Sequence, residues 1–256
     1  MNILLTNDDG IESAGIQRLA AALRDEGKHT IYMLAPDGNR SGVSHSISFL
    51  YAPVRIREHS LNTWSCSGNP ADCAMIAVLG GFPVKPDIIL SGINRGANLG
   101  TDIVYSGTAA AARQAVLQGV PAIAFSLAGG LSVRKDENDG YFWDMAVAFI
   151  LEKMPELIDR CTKDIFINVN IPNTRDGPLG MLTTYPCIQH YRDELSTMKA
   201  PDGSIYCFMK LGSASFKGEP GSDIEAVQRN YVSVSPVFVH PVCGQASSPS
   251  YFGVHP

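Results

Sequence analysis

Sequence features that mark membrane, secreted or nucleic-acid-binding proteins are absent from this 256-residue chain. No apolar run approaches the roughly 18 residues that a membrane span needs, and the first residues lack the charged and apolar regions of a secretion signal. Acidic residues outnumber basic ones, 25 to 20, which argues against non-specific electrostatic binding of nucleic acid. We therefore expect a cytoplasmic protein that binds neither a membrane nor a nucleic-acid duplex.

Cysteine pairs with metal or redox spacing are also lacking. The six cysteines are scattered and form no C-x-x-C pair. Their even number would permit disulfides, but a chain of this length without an export signal is better explained by reduced thiols. The turn after the first predicted strand lacks the G-x-G-x-x-G pattern of dinucleotide-binding proteins as well.

The chain does show a regular alternation of strand and helix patterns up to about residue 172. Its opening is an example: Asn2–Thr6 is a short apolar run, and a helical pattern follows it, with apolar residues at Ile16, Leu19, Ala20 and Leu23. Runs of this kind are typical of strands buried on both faces. The alternation predicts an α/β fold with a mainly parallel, doubly wound sheet.

Three further predictions concern other segments of this region. Phe49–Arg57 and Asn62–Cys66 resemble two strands of a hairpin at one edge of the sheet. The apolar run Asp87–Leu90 predicts a strand that ends at a glycine-rich loop, Ser91–Gly100. Asp72 lies in the first turn of a helix that begins after Asn69, so we expect it to have a structural, capping role.

The pattern changes after Pro172. Residues 173–221 are rich in glycine, proline and polar residues, and strand-like pieces at Gly180–Tyr185 and Ser204–Leu211 predict a hairpin or arm outside the core. There is no internal repeat and no clear linker. We therefore expect one domain over residues 1–256, with a core at about 1–172 and a C-terminal arm, hairpin and tail at about 173–256.

Oxygen-bearing side chains follow successive predicted strands. Asp8 and Asp9 come after the first strand, Ser41 lies in the loop after the second, and Asn94 follows the Asp87–Leu90 strand. The carboxyl ends of parallel strands meet at one edge of a sheet, where ligands bind. Two adjacent carboxylates resist joint ionisation unless a positive charge offsets them. All-oxygen ligands suit Mg²⁺ or Mn²⁺ better than zinc. Singly, each residue also has a structural explanation as a turn or capping residue.

A helix predicted to begin at Gly107 or Thr108 would start near these oxygen-bearing residues. Its first N–H groups and the hydroxyls of Ser106 and Thr108 would offer donors and a positive dipole end to an anion. Asn98 could add an amide donor. A cation site beside an anion site suggests a phosphate ester as the ligand.

Several segments in order resemble the SurE family of metal-dependent phosphatases, which act on nucleoside monophosphates. They are TNDDG, APDGNRSGVSHSIS, GNPADC, SGINRGANLG with DIVYSGTAAAA, and NVNIP. The likeness runs from residue 2 to about 172 and resumes weakly at Asp223–Pro236. It implies a Rossmann-like three-layer αβα fold with a C-terminal arm exchanged between subunits, in a homodimer or homotetramer.

The resemblance also implies roles for particular residues. It assigns one divalent cation per subunit, most simply Mg²⁺ or Mn²⁺, to Asp8, Asp9, Ser41 and Asn94, with Asp8 and Asp9 as catalytic residues. It assigns substrate phosphate to Asn98, Ser106, Gly107 and Thr108. The reaction implied is hydrolysis of nucleoside 5′- and also 3′-monophosphates, with either water or an aspartate as nucleophile.

Two other functions fit parts of the pattern. A nucleotide-binding module without turnover would explain the anion site, although such a site has no use for paired acids without a cation. A metal-dependent nucleotide-sugar transferase typically carries its acids as a D-x-D motif later in the chain, and no such spacing appears after an early strand here.

Overall fold

The computed structural model describes residues 1–129, 140–189, 191, 193–210 and 218–241. A nine-stranded sheet runs through this part of the chain, and a two-stranded hairpin lies outside it. The surface loop predicted at 128–140 and the tail predicted at 241–256 fall almost wholly outside the described residues. Within those residues, no helix is long and apolar enough to cross a membrane.

The described strands agree with the predicted α/β alternation over the first two thirds of the chain. They are β1 (Asn2–Thr6), β2 (Thr30–Pro36), β3 (Ile56–Ser60), β4 (Thr63–Cys66), β5 (Ile88–Arg95), β6 (Ala122–Ala128), β7 (Ile165–Pro172), β8 (Met181–Thr183), β9 (Glu194–Lys199), β10 (Ile205–Lys210) and β11 (Val232–Phe238). The main sheet has the order β3-β4-β2-β1-β5-β6-β7-β11-β8. Its pairs are parallel except for β3 with β4 and β7 with β11.

Helices cover both faces of this sheet. They are α1 (Ala14–Glu26), α2 (Pro70–Val78), α3 (Gly107–Leu117), α4 (Trp143–Asp159) and the short α5 (Asp223–Gln228). Ile3 and Leu5 of β1 pack in one core with α1 and α4, while Leu4 points the other way, into a second core with α2 and α3. The three-layer αβα arrangement is therefore confirmed.

The predicted edge hairpin exists, but its first strand was placed too early. Phe49 lies in a short 3₁₀ helix, Ser48–Leu50, and β3 begins only at Ile56. The backbone N–H groups of Ser48 and Phe49 donate to the buried Asp72 carboxylate at 3.0 and 3.4 Å, which ties this segment to α2 instead of the sheet. Asp72 also accepts from the Asn69 N–H at 2.7 Å, so its predicted capping role is confirmed.

The strand β5 extends farther than predicted, because the first half of the expected glycine-rich loop belongs to it. The chain stays extended through Asn94, with a register shift against β6 between Ser91 and Asn94. Gly92 makes this path possible, since its φ is +133° and a Cβ there would collide with the Phe125 carbonyl oxygen. Asn94 is consequently held on a strand, which fixes its position more firmly than a loop would.

The C-terminal third contributes more to the sheet than predicted. Met181–Thr183 was expected in an arm, but it forms the edge strand β8, parallel to β11. The strand β11 pairs antiparallel with β7. The expected hairpin consists of β10 and the strand β9, which the sequence pattern did not reveal. The sheet thus draws strands from both sides of residue 172, and the core extends past that predicted boundary to residue 238.

Candidate active site

The loop after β1 places two acids at the carboxyl edge of the sheet. Asn7 shapes this turn: its amide nitrogen donates to the Gly10 carbonyl at 2.9 Å and to the Ser13 hydroxyl at 2.7 Å. Its amide oxygen accepts from the Gly10 N–H. Because Asn7 makes the turn, Asp8 and Asp9 are not needed for it, and their carboxylates point to other partners.

Asp8 is buried against the start of α3. One carboxylate oxygen accepts from the backbone N–H groups of Gly107 and Thr108, at 3.1 and 3.2 Å, and the other accepts from the Thr108 hydroxyl at 2.6 Å. Burial raises the pKa of Asp8, and these hydrogen bonds lower it only in part. The N-terminus of α3 therefore receives a carboxylate from a strand about 100 residues away in sequence.

Asp9 points to the other side of the turn. Its carboxylate accepts from the Arg95 backbone N–H at 2.9 Å and lines a small pocket with Ser13 and Asn39. Burial, reinforced by the charge of Asp8, raises the pKa of Asp9 to about 6, although the N–H and the charge of Arg95 act in the opposite direction. Asp8 and Asp9 thus lie at the same edge of the sheet, but their carboxylates face two adjacent pockets.

Ser41 and Asn94 complete the predicted cation set. The N–H of Arg40 donates to the Asp8 carbonyl oxygen at 2.6 Å, which brings the Ser41 loop against the β1 turn. Asn94 donates from its amide nitrogen to the Gly96 carbonyl at 3.0 Å, so its amide oxygen is the atom that remains suited to a cation. Asp8, Ser41 and Asn94 line one cleft of about 240 Å³.

Asn98 and Ser106 line the same cleft. The amide nitrogen of Asn98 donates to the Ser126 hydroxyl at 2.8 Å, and its backbone carbonyl accepts from Asn168 and Asn170 at 2.9 and 3.0 Å. Ser106 caps α3 by accepting from the Ala109 N–H at 3.0 Å. Asn98 and Ser106, two of the four predicted phosphate contacts, are therefore held in place by hydrogen bonds within the protein.

The residues at this edge fit a hard divalent cation. Two buried carboxylates, Asp8 and Asp9, lie on adjacent residues, and the charge of Asp8 acts on Asp9. The set offers carboxylate, hydroxyl and amide oxygens, which Mg²⁺ and Mn²⁺ prefer. In the part of the chain that the structure describes, no three His, Cys, Asp or Glu side chains form a group that could hold a metal ion.

Comparison with known proteins decides the family. The family model described as survival protein SurE matches residues 3–193. The chain belongs to the SurE family. It is 38% identical over 238 residues to the 5′-nucleotidase SurE of Pelobacter propionicus, and 40% identical over 242 residues to that of Haemophilus ducreyi. Each alignment covers 93% of both chains.

The fold supports the same assignment. The crystal structure of the SurE protein from Aquifex aeolicus superposes on this chain with a TM-score of 0.78 at 33% sequence identity, covering 94% of this chain and 95% of that one. The SurE resemblance inferred from the motifs is therefore confirmed, together with the Rossmann-like architecture.

Several residues that line or support the cleft were not identified from the sequence pattern. Asp102 and Tyr105 line the cleft from the 3₁₀ segment Gly100–Val104 and its end. Asn168 and Asn170 hold the Asn98 loop from beneath. Their i, i+2 spacing was a usable signal, because two amides on one face of an otherwise apolar strand need buried partners.

A methyl group at Gly107 should disturb the site without harming the fold. A Cβ there would lie 2.7 Å from the Asp8 Cβ and 3.0 Å from its carboxylate oxygen, so Gly107→Ala would push Asp8 away from α3. Alanine is otherwise favoured in a helix. We expect kcat for phosphate release to fall on the order of 10²-fold, with an unchanged circular dichroism spectrum.

Gly38→Ala is the matched control. Its Cβ would make only an ordinary contact, 3.6 Å from the Arg40 guanidinium, in a loop near the same sheet edge. We expect activity within about twofold of wild type. Equal losses in both variants would contradict the specific role of the Gly107–Asp8 contact.

Proposed function

We propose that this protein is a divalent-metal-dependent phosphomonoesterase that hydrolyses nucleoside 5′-monophosphates, and 3′-monophosphates as well, to nucleoside and phosphate. The observation that carries this proposal is the pair of buried carboxylates, Asp8 and Asp9, at the carboxyl edge of the sheet, where Asp8 shares a cleft with Ser41 and Asn94. The name 5′-nucleotidase SurE, which its relatives carry, supports the same reaction class.

We assign the cation, Mg²⁺ or Mn²⁺, to Asp8, Asp9, Ser41 and Asn94. A bound dication would supply Lewis-acid polarisation of the phosphate and a template for its oxygens. The protein supplies the rest. The start of α3 orients Asp8 through three hydrogen bonds, and the Arg95 N–H orients Asp9.

We assign the phosphate to the cleft that Asp8, Ser41 and Asn94 line. Asn98 and Ser106 line that cleft. Gly107 and Thr108 donate to Asp8 in this structure, so their first role is to position that carboxylate. Their N–H groups also form the positive end of α3, and we propose that they share this donor capacity with a phosphate oxygen, where transition-state charge develops.

Asp8 is the better placed of the two acids to handle a proton. Its carboxylate lies in the cleft, beside the Thr108 hydroxyl, and burial raises its pKa. We propose that Asp8 accepts the proton of an attacking water or returns one to the leaving oxygen. Attack by an aspartate itself is the alternative route to the same products.

Chelation tests the proposed metal dependence directly. We expect phosphate release from nucleoside 5′- and 3′-monophosphates with Mg²⁺ or Mn²⁺, and its loss on addition of EDTA, because two adjacent carboxylates cannot hold an anionic substrate alone. The measurement is phosphate release from a nucleotide panel, with activity restored by excess metal as the control. Undiminished phosphate release in EDTA would contradict the proposed metal dependence.

We also propose that the hairpin of β9 and β10 joins subunits in a homodimer or homotetramer. Every residue of both strands is exposed, including large apolar ones at Leu195, Met198, Ile205, Phe208 and Met209. An isolated two-stranded hairpin is marginal in water, so a partner subunit would give these side chains the burial they lack.

The expected mass in solution is therefore two or four times 27.5 kDa. Light scattering coupled to gel filtration measures it. Replacing Phe208 and Met209 with serine should shift the mass toward the monomer, while Lys199→Ser on the same hairpin should not. A monomeric wild-type protein would contradict the assembly.

A further inference from the structure

A second polar cavity lies at the end of the sheet that β3 and β4 form, and we call it the edge cavity. Its volume is about 180 Å³. The strand β2 separates β4 from β1, which carries the catalytic turn. No described residue lines both the edge cavity and the cleft that Asp8 lines. The edge cavity is therefore a separate feature of the molecule.

The path of α1 leaves room for the edge cavity. Arg24, in the last turn of α1, donates to the Thr63 hydroxyl at the start of β4 at 2.9 Å. The first turn of α1 lies instead at β5, where Gly15 packs against the Ile93 carbonyl. This oblique crossing leaves a corner beside the end of β4, with Ser65 on its wall.

The strand β3 and the residue before it supply the basic side chains of the edge cavity. Arg55, Arg57 and His59 line it at alternate positions, and such positions share one face of a strand. Arg57 is paired with Ser65 of β4 in the register. Neither guanidinium forms an ion pair with another described residue. Two guanidinium groups in this state suit an oxyanion, which each can bind through paired hydrogen bonds.

Two serine hydroxyls add donors to the same wall. The Arg55 backbone N–H donates to Ser67 Oγ at 2.9 Å, and Nε2 of His59 lies 2.7 Å from Ser65 Oγ. When Nε2 carries the proton, both hydroxyl oxygens accept from the protein, and their own hydrogens are left for a ligand. Ser65 is only 5% exposed, so its hydroxyl has a fixed position.

The acids on the wall do not cancel the positive charge of the edge cavity. Asp37 forms an ion pair with the Arg40 guanidinium at 2.8 Å, which offsets its charge. Glu12, an exposed residue, forms no ion pair among the described residues. Glu12 is thus opposed by the two charges of Arg55 and Arg57. The net charge of the edge cavity is positive even when its histidine is neutral.

We propose that the edge cavity binds a tetrahedral dianion of the phosphate type, at a site separate from the cleft. The inference goes beyond the proposed function and does not depend on it. The four oxygens of a phosphate group match two guanidinium groups and two hydroxyl donors. A volume of about 180 Å³ admits this group but not a whole nucleotide, since sites for larger ligands begin at roughly 300 Å³. Free phosphate and the phosphate group of a nucleotide share this chemistry.

Titration calorimetry with inorganic phosphate, in EDTA at low ionic strength, tests the inference. Without a cation, the acids of the cleft repel phosphate, so the edge cavity is the site that remains. We expect one phosphate per wild-type chain, and at least about tenfold weaker binding to Arg57→Gln, which loses a charged pair of donors. Lys163→Gln is the matched control. It removes an exposed positive charge just before β7, at the opposite edge of the sheet, and should leave phosphate binding unchanged.

Glu12→Gln should change the affinity in the opposite direction. It removes the unpaired negative charge from the wall, so phosphate should bind about two- to fivefold more tightly. Arg55→Gln should weaken binding as Arg57→Gln does, which keeps the test valid if Arg57→Gln does not fold. Wild-type affinity in both arginine variants, or equal losses in Lys163→Gln and Arg57→Gln, would overturn the inference.

Adenosine 5′-monophosphate distinguishes the two sources of the phosphate group. We expect it to bind no more tightly than free phosphate, because its base would lie outside a cavity of this size. At least tenfold tighter binding that is lost in Arg57→Gln would identify a nucleotide as the ligand of the same site. The titration needs no turnover. A chain that binds phosphate in the edge cavity but releases none from nucleotides would therefore contradict the proposed function alone.

Discussion

Asp8→Asn and Asp9→Asn are each expected to reduce phosphate release by about 10³-fold or more, while the fold is retained. Each change removes a negative charge that the proposed dication requires, and a bound metal contributes several kcal/mol to transition-state stabilisation, where about 4 kcal/mol corresponds to 10³-fold. In Asp8→Asn, the side chain also loses one of the two oxygens that accept from α3. Steady-state phosphate release with Mn²⁺ or Mg²⁺ measures the effect.

Asp25→Asn is the control for this pair, because Asp25 is an exposed residue of α1 far from the cleft. We expect it to behave as wild type. Calorimetric titration with Mn²⁺ adds a second readout, in which both site variants should bind the ion at least tenfold more weakly. If Asp9→Asn kept near-normal activity and metal affinity, Asp9 would have to be removed from the ligand set.

Gly15→Ala should affect both the fold and the site. Gly15 lies in the first turn of α1, and a Cβ there would overlap the Ile93 carbonyl oxygen and approach the Trp143 ring to 3.1 Å. Overpacking costs up to about 3 kcal/mol, and the gain of alanine over glycine in a helix returns about 1 kcal/mol. We expect a net loss of about 2 kcal/mol, or roughly 5 °C in Tm. Because Ile93 precedes Asn94, activity should fall as well.

Gly27→Ala separates crowding from backbone strain. Gly27 ends α1 with φ of +67°, and a Cβ there would meet no atom within 4 Å. Its cost should be about 1 kcal/mol, from the left-handed conformation alone. Thermal unfolding of the two variants, together with phosphate release, measures both effects. Full activity in Gly15→Ala would show that β5 can shift without moving Asn94.

Local sequence patterns were sufficient to predict the αβα core. They were also sufficient to predict that three of the four candidate cation ligands lie in one cleft. Asp8, Ser41 and Asn94 come after or at the ends of strands that are parallel in the sheet, and such ends share an edge. Their convergence in one cleft follows from strand order more than from any detail of packing. Asp9 faces an adjoining pocket, because adjacent residues of a turn point in different directions.

Contacts across long stretches of sequence could not be predicted in this way. The bonds from α3 to Asp8 depend on how close the end of β1 comes to a helix about 100 residues later. The support of Asn98 by Asn168 and Asn170 spans about 70 residues. The strand β9, with polar residues among its apolar ones, has little of the alternation that marks a buried strand, since both of its faces are exposed.

The position of β11 between β7 and β8 has a consequence for synthesis on the ribosome. The strand that completes the pairing of β7 is made some 60 residues after it, close to the end of the described chain. A nascent chain that stops short of residue 232 would present β7 as an open, apolar edge to other chains. We therefore expect a nascent chain to be most prone to aggregation after β7 has emerged from the ribosome and before β11 has.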